Sequence, residues 1–375
     1  TFATITSGGA CRGMIEMGGA LYTISGNLLV RTTTTGEVTA IGGIPGTAKV
    51  AMTHNDASPR QLVICIDGNR YVVTNDNLTE LTDVDLPPPV SVAFLNRRVL
   101  YGIRDGRVYF SAVDDATDIS SIDFFTAEGN SDQLVGIRAH LQEIWVFGEE
   151  SIEVWRDTGN ATAPFRRNEA GVIPKGCLEQ ATIAELDTDI FWVGDDKVVY
   201  KAAGYNFQAI STFGVNESIR GTTDPATIEA MAFHMNGHAF YVLSGPDWTW
   251  AYNRTTGTWD PRFSYAIDRW RVSQAVAFAG KVIVGDYSTN KLYELSRTAY
   301  DEAGTAMIWR ARTAPMHAYP NQIAIDCLHC DFVLGVGLVS SSAHESNPQV
   351  GMRYSDDGGY TWSNQRSVSL GATGV

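Results

Sequence analysis

Ser355-Asp356-Asp357-Gly358-Gly359-Tyr360-Thr361-Trp362 fits the Asp-box pattern S-x-D-x-G-x-T-W at every fixed position. The same hairpin turn occurs in sialidases and in many non-catalytic β-proteins, so glycoside cleavage is the first chemistry to weigh. That reaction needs an arginine cluster for a carboxylate, a tyrosine nucleophile with a glutamate partner, and an acid/base aspartate. The chain carries one perfect box, and Phe165-Arg166-Arg167-Asn168 departs from the sialidase signature F-R-I-P because Asn168 stands where proline is required. The box is therefore read as architecture. Asp357 braces a tight turn within the Ser355 and Thr361 frame, Gly359 permits φ > 0, and Trp362 packs beneath the hairpin.

Three other groups could do chemistry. Cys327-Leu328-His329-Cys330 offers thiolate and imidazole, both zinc ligands. Strand alternation would put Cys327 and His329 on one face and Cys330 on the other, so strand packing is the favoured reading and no metal is expected. Asp114-Asp115, Glu149-Glu150 and Asp195-Asp196 could serve as general acids, bases or ion ligands, but they fall at turns, where Asp and Gly are favoured for backbone reasons. Trp248, Trp250 and Trp259 could stack sugars or bases; positions 248 and 250 share one strand face, which favours packing between structural units.

Positioning any of these residues falls to a fold rich in short strands. The 375 residues are 44% hydrophobic and only 19% charged, with 36 glycines and 10% aromatics, enough for one large β-domain and a smaller companion. Net charge is −14, from 28 Lys+Arg against 42 Asp+Glu, which opposes tight phosphate binding. A conduit whose walls repel DNA would benefit from that sign. Arg97-Arg98, Arg104, Arg107 and Arg166-Arg167 are scattered rather than gathered into a stripe, which favours subunit contacts over DNA contacts. Five cysteines without a disulfide-scaffold spacing point to a reducing assembly compartment. No apolar run is long enough to span a bilayer, and membrane insertion is not expected.

Self-similarity sets the architecture. One unit runs Val90–Phe94, Val99–Ile103, Val108–Val113 and Ile122–Thr126; the next runs Val135–His140, Ile144–Phe147, Ile152–Trp155 and Phe165–Asn168. Later units run 183–210 and 231–263, again as four strands each. Taking Gly26, Gly68, Gly106, Gly148, Asp195, Gly245 and Asp286 as markers, successive separations are 42, 38, 42, 47, 50 and 41 residues. Such spacing predicts an all-β propeller over 1–303, with seven blades favoured over six, and with residues before Gly19 able to supply a closing strand. No useful amphipathic helix is expected between blades. After Tyr300 the pattern changes. Ile323–Leu328 and Phe332–Leu338 read as long apolar strands, then comes polar Ser340–Pro348, so 304–375 is expected to be a small sandwich-like β-domain, or part of one cut at Val375, carrying the box.

Leu134-Val135-Gly136-Ile137, Glu143-Ile144-Trp145-Val146-Phe147-Gly148-Glu149, Ser151-Ile152-Glu153-Val154-Trp155 and Ile173-Pro174-Lys175-Gly176-Cys177 together resemble the packaged-DNA stabilisation proteins, or tail nozzle proteins, of short-tailed bacteriophages. The run from Gln349 to Ser363 is similar to that family's C-terminal region. The resemblance implies a non-enzymatic virion tail component without cofactor, assembled in the host cytoplasm. It implies a homo-oligomer, a hexameric ring, beneath the portal and its adaptor. It also implies a seat for needle, plug, fibre or tailspike proteins, and a channel passing double-stranded DNA without sequence specificity. On that reading Glu149, Glu150, Asp195, Asp196, Arg166 and Arg167 are candidates for a charged channel or interface surface. A glycan-binding or sialidase-like propeller is the alternative.

Overall fold

The computed structural model describes the whole chain except residues 128, 130, 131, 161, 162, 320, 322, 340–342 and 373–375. Two compact units emerge, Thr1–Leu295 and Ser296–Val375.

Each repeat folds as a four-stranded antiparallel sheet, because its strands are short and joined by tight turns that return the chain beside itself. Seven such blades form the first unit, so the seven-bladed expectation holds. Blade 1 spans Cys11–Met17, Ala20–Ser25, Leu28–Thr32 and Val38–Gly43. Blade 4 spans Leu134–His140, Glu143–Gly148, Ile152–Asp157 and Phe165–Ile173. The second strand of each blade lies sandwiched between neighbours. Ala20–Ser25 and Asp189–Val193 are buried along their whole length, so these strands read as nearly continuous apolar runs rather than alternating ones.

Burial is distributed in seven layers, one between each pair of adjacent blades. Trp145, Phe147, Ile190 and Trp192 fill the layer between blades 4 and 5. Ala3, Ile5, Met14, Leu21 and Ile283 fill the layer that joins blade 7 to blade 1. That last layer depends on the ring closing. Ala3–Thr4 pairs antiparallel with Lys291–Glu294 and becomes the outer strand of blade 7, whose other strands come from the far end of the unit. Residues before Gly19 therefore supply the closing strand, and Cys11–Met17 opens blade 1.

One helix departs from the expectation. α1 (Phe213–Gly221) lies in the connection between blades 5 and 6, with Val215 and Ile219 buried. Its nine residues include only this i, i+4 apolar pair facing the protein, too few turns for a periodic signal to stand out.

The second unit holds two small hairpins, Asp301–Glu302 with Thr305–Ala306 and Gln349–Met352 with Arg366–Ser369, and a short helix, Ala343–Ser346. Ile323–Leu328 and Phe332–Leu338 are not strands, contrary to the sequence expectation. Apolar alternation gives a segment a face to bury, but a strand also needs a continuous hydrogen-bonded ladder, and among the described residues Phe332–Leu338 makes only scattered backbone bonds, from Gly335 to Leu370, Gly337 to Gly371 and Leu338 to Glu345. Ser340–Ser342, at the start of the expected polar segment, lies outside the described residues.

Candidate functional site

In an antiparallel four-stranded blade, the turn between the second and third strands and the connector to the next blade leave from the same rim. On this rim each second-to-third turn from blade 2 to blade 6 carries acid, Asp67, Asp105, Glu149 with Glu150, Asp195 with Asp196, and Asp247, and Asp286 ends the second strand of blade 7. Turn chemistry explains their type, since a short carboxylate caps the backbone that reverses there. Asp286 accepts from the Ser288 and Thr289 amides, and Asp195 accepts from the Gly176 amide at 3.1 Å.

Glu149, Glu150, Asp195 and Asp196 thus share one rim, in neighbouring blades. Glu149 pairs with Arg104 at 2.6 Å, and Asp196 pairs with Lys175 at 2.7 Å while accepting from the Tyr200 hydroxyl at 2.6 Å. Burial works against ionisation of Asp196, but the bonds from Lys175 and Tyr200 prevail and hold its carboxyl below the usual range. Glu150, Asp67 and Asp247 remain exposed. Arg166 and Arg167 belong elsewhere. They lie on the outer strand of blade 4, opposite Arg156 and Trp155, and Arg167 pairs with Glu169 at 3.2 Å and Glu153 at 3.8 Å. The acidic turns and these arginines do not form one surface.

Sequence reasoning missed a carboxylate at the foot of this rim. Glu229 opens the first strand of blade 6 and is 2% exposed. It accepts from Arg269 at 2.7 Å and from Ser273 at 2.8 Å, and pairs with Lys49 from the connector after blade 1. Lys49 also donates to the Cys11 carbonyl at 3.1 Å and to Ser273 at 2.6 Å. One anion thereby ties blades 6, 7 and 1 together beside the ring closure. Only the hydrophilic type of Glu229 at the head of an apolar strand signalled it.

The tryptophans hold the helical insertion. Trp248 donates to Thr222 Oγ1 at 3.0 Å, Trp250 to Ser218 Oγ at 3.0 Å, and Trp259 to the Ile210 carbonyl at 2.8 Å. Indole N–H groups that need buried acceptors find them on α1 and its flanks.

On the opposite rim, a groove of about 520 Å³ between blades 4 and 5 is lined by His140, Glu143, Trp145, Arg156 and Tyr205. Tyr205 donates to Glu143 at 2.6 Å, the kind of Tyr/Glu pair a sialidase uses. Here burial and the neighbouring carboxylate push the phenol up to about 12, the reverse of an activated nucleophile. Arg156 is the single arginine lining the groove, where carboxylate recognition would need a cluster.

In the Asp box, Asp357 accepts from the Thr361 amide at 2.8 Å, from the Thr361 hydroxyl, and from Ser355 Oγ at 2.8 Å. Those bonds hold its carboxyl far below the usual range. Gly359 sits at φ +98, and Trp362 donates to the Gly359 carbonyl at 3.1 Å with Arg312 5.0 Å above its ring. The polar side chains of Ser355, Asp357, Thr361 and Trp362 all bond within the turn. Cys327, His329 and Cys330 are exposed, and no cluster of three metal-binding side chains occurs among the described residues. Cys11, Cys65 and Cys177 are buried, and burial pushes their thiols up to about 12.

The first unit is thus a seven-bladed propeller that carries acidic side chains along one rim. The family model described as bacteriophage P22 Gp10, beta-propeller, a phage stabilisation family, matches residues 2–300. The chain belongs to that family, the propellers that stabilise packaged phage DNA, and is a structural component of a virion. No curated protein matches. Two solved structures of the extracellular domain of BT4673 from B. thetaiotaomicron, described as a hybrid two component system and as a one component system, are similar, with TM-scores of 0.52 and 0.51 at 10% identity. The matches cover 77% and 79% of this chain but only 39% of each of theirs, and they speak to the fold alone. The WD40 propeller of Doa1 is similar over 76% of this chain and 96% of that one, at 10% identity and a TM-score of 0.48. No helix among the described residues is long and apolar enough to cross a membrane.

Proposed function

We propose that the chain is the repeating subunit of a tail nozzle. On this reading, copies assemble as a ring, six by the pattern of the family it resembles, beneath the portal and its adaptor. The ring retains the packaged genome, lines the path of ejection, and seats needle, plug or fibre proteins at its far end. The observation that carries the reading is the acidic rim in a chain of the phage stabilisation family. Asp105, Glu149, Asp196 and Asp286 are paired with Arg107, Arg104, Lys175 and Arg271. The exposed carboxylates Asp67, Glu150, Asp195 and Asp247 are therefore the ones that repel phosphate, within a Debye length of about 8 Å at physiological salt, and DNA held nearby stays mobile rather than adsorbed. Retention is then geometric, from a rigid collar, and ejection meets no adhesive wall. The test is depletion. Particles assembled without this chain should package DNA and then lose it, read as nuclease-accessible genome in purified heads. Heads that stay fully nuclease-resistant would refute the assignment.

A further inference from the structure

We propose that Cys327, His329 and Cys330 form a thiol–disulfide exchange site whose substrates are low-molecular-weight disulfides. The two exposed cysteines are the outer positions of a C-x-x-C sequence, and the three remaining cysteines are sealed inside the propeller. Cys327 Sγ lies 3.2 Å from His329 Nε2, so an imidazole protonated on Nδ1 accepts the thiol proton there. All three residues lie in an exposed segment without strand pairing, so no sheet ladder fixes the spacing of the two sulfurs.

The chemistry balances with an external disulfide as oxidant. As Cys327 Sγ attacks one sulfur of oxidised glutathione, its proton passes to His329 Nε2. The S–S bond breaks, and the departing thiolate takes that proton to leave as glutathione. Cys330 then attacks the Cys327 sulfur of the mixed disulfide. A second glutathione departs, and a Cys327–Cys330 bond remains. The protein dithiol is oxidised by two electrons and one glutathione disulfide is reduced to two thiols. Neither step draws on the propeller, where buried thiols meet no reagent.

The test uses the full chain, reduced and desalted, then treated with oxidised glutathione, quenched with N-ethylmaleimide and mapped by mass spectrometry. The expected product is an internal Cys327–Cys330 disulfide with Cys11, Cys65 and Cys177 alkylated only after unfolding. C330S should accumulate the glutathione adduct on Cys327. In C327S, Cys330 should react roughly tenfold more slowly, since it lacks the imidazole partner. H329A should slow the reaction at Cys327, with added imidazole restoring part of the rate, a rescue that a merely structural role would not show. All three side chains are exposed, so these variants leave the fold intact. Equal rates at the two cysteines, an H329A rate matching the parent, or a predominantly interchain disulfide would overturn the proposal.

Discussion

Glu229→Gln isolates the clamp beside the ring closure. The substitution keeps shape and one acceptor but removes the charge that Arg269 and Lys49 share. Arg269 is 5% exposed and is left without its anion, whereas Lys49, at 29%, recovers some hydration. Removing one partner of a buried pair costs about 3–5 kcal/mol, and the partial exposure of Lys49 with the retained amide favours the lower end, about 3 kcal/mol. For a unit spanning Thr1–Leu295 each kcal/mol moves the midpoint by roughly 1.6 °C, so thermal unfolding followed by circular dichroism should show a fall of roughly 5 °C. Lys49→Met alone should cost less. The double variant should fall short of the summed losses, because the two changes remove the same interaction. A Glu229→Gln shift below roughly 1 °C, or strict additivity, would refute the claim that this carboxylate ties three blades.

The closing strand offers a second test: Ile5 is 1% exposed, and Ile5→Ala should cost about 2–5 kcal/mol in urea unfolding, while a loss under about 0.5 kcal/mol would mean the ring does not depend on that strand. Asp357→Ala should speed hydrogen exchange at the Thr361 amide without changing the propeller's melting. Because folding depresses the Asp357 pKa, the box is supported above the ordinary carboxylate value of about 3.9 and weakens as pH falls through the lower folded value; a carboxyl titrating near pH 4 by NMR would contradict the turn-brace role. Reversing the rim with Asp67→Lys, Glu150→Lys and Asp247→Lys should convert a chain that fails to retain duplex DNA in gel shifts into one that binds it. The logarithm of that affinity should fall with the logarithm of salt by about 0.9 for each phosphate neutralised, and unchanged mobility would show that the rim does not govern DNA contact.

Much of the propeller was legible because its local rules agree. Second strands such as Ile144–Phe147 read as short apolar runs, and turns such as Asp105-Gly106 and Asp67-Gly68 mark the reversals, with Gly106 and Gly68 at positive φ. The shared rim of Glu149, Glu150, Asp195 and Asp196 followed from topology once each residue was known to sit in a second-to-third turn. What stayed hidden was long-range or short-lived in sequence. Lys49 and Glu229 meet only because the ring closes, and α1 offers a single apolar pair, so no periodicity marks it. The apolar segments after Ile323 were misread because alternation describes a face and says nothing about whether a neighbouring strand exists to pair with it.

Electron cryomicroscopy of purified virions at subnanometre resolution decides whether this chain forms a tail collar. If it does, seven-bladed propellers lie in a closed ring around an open axial channel beneath the portal, with copies of this chain fitting every position. Tails in which no density accommodates the propeller, or in which it sits singly away from the channel, would contradict it.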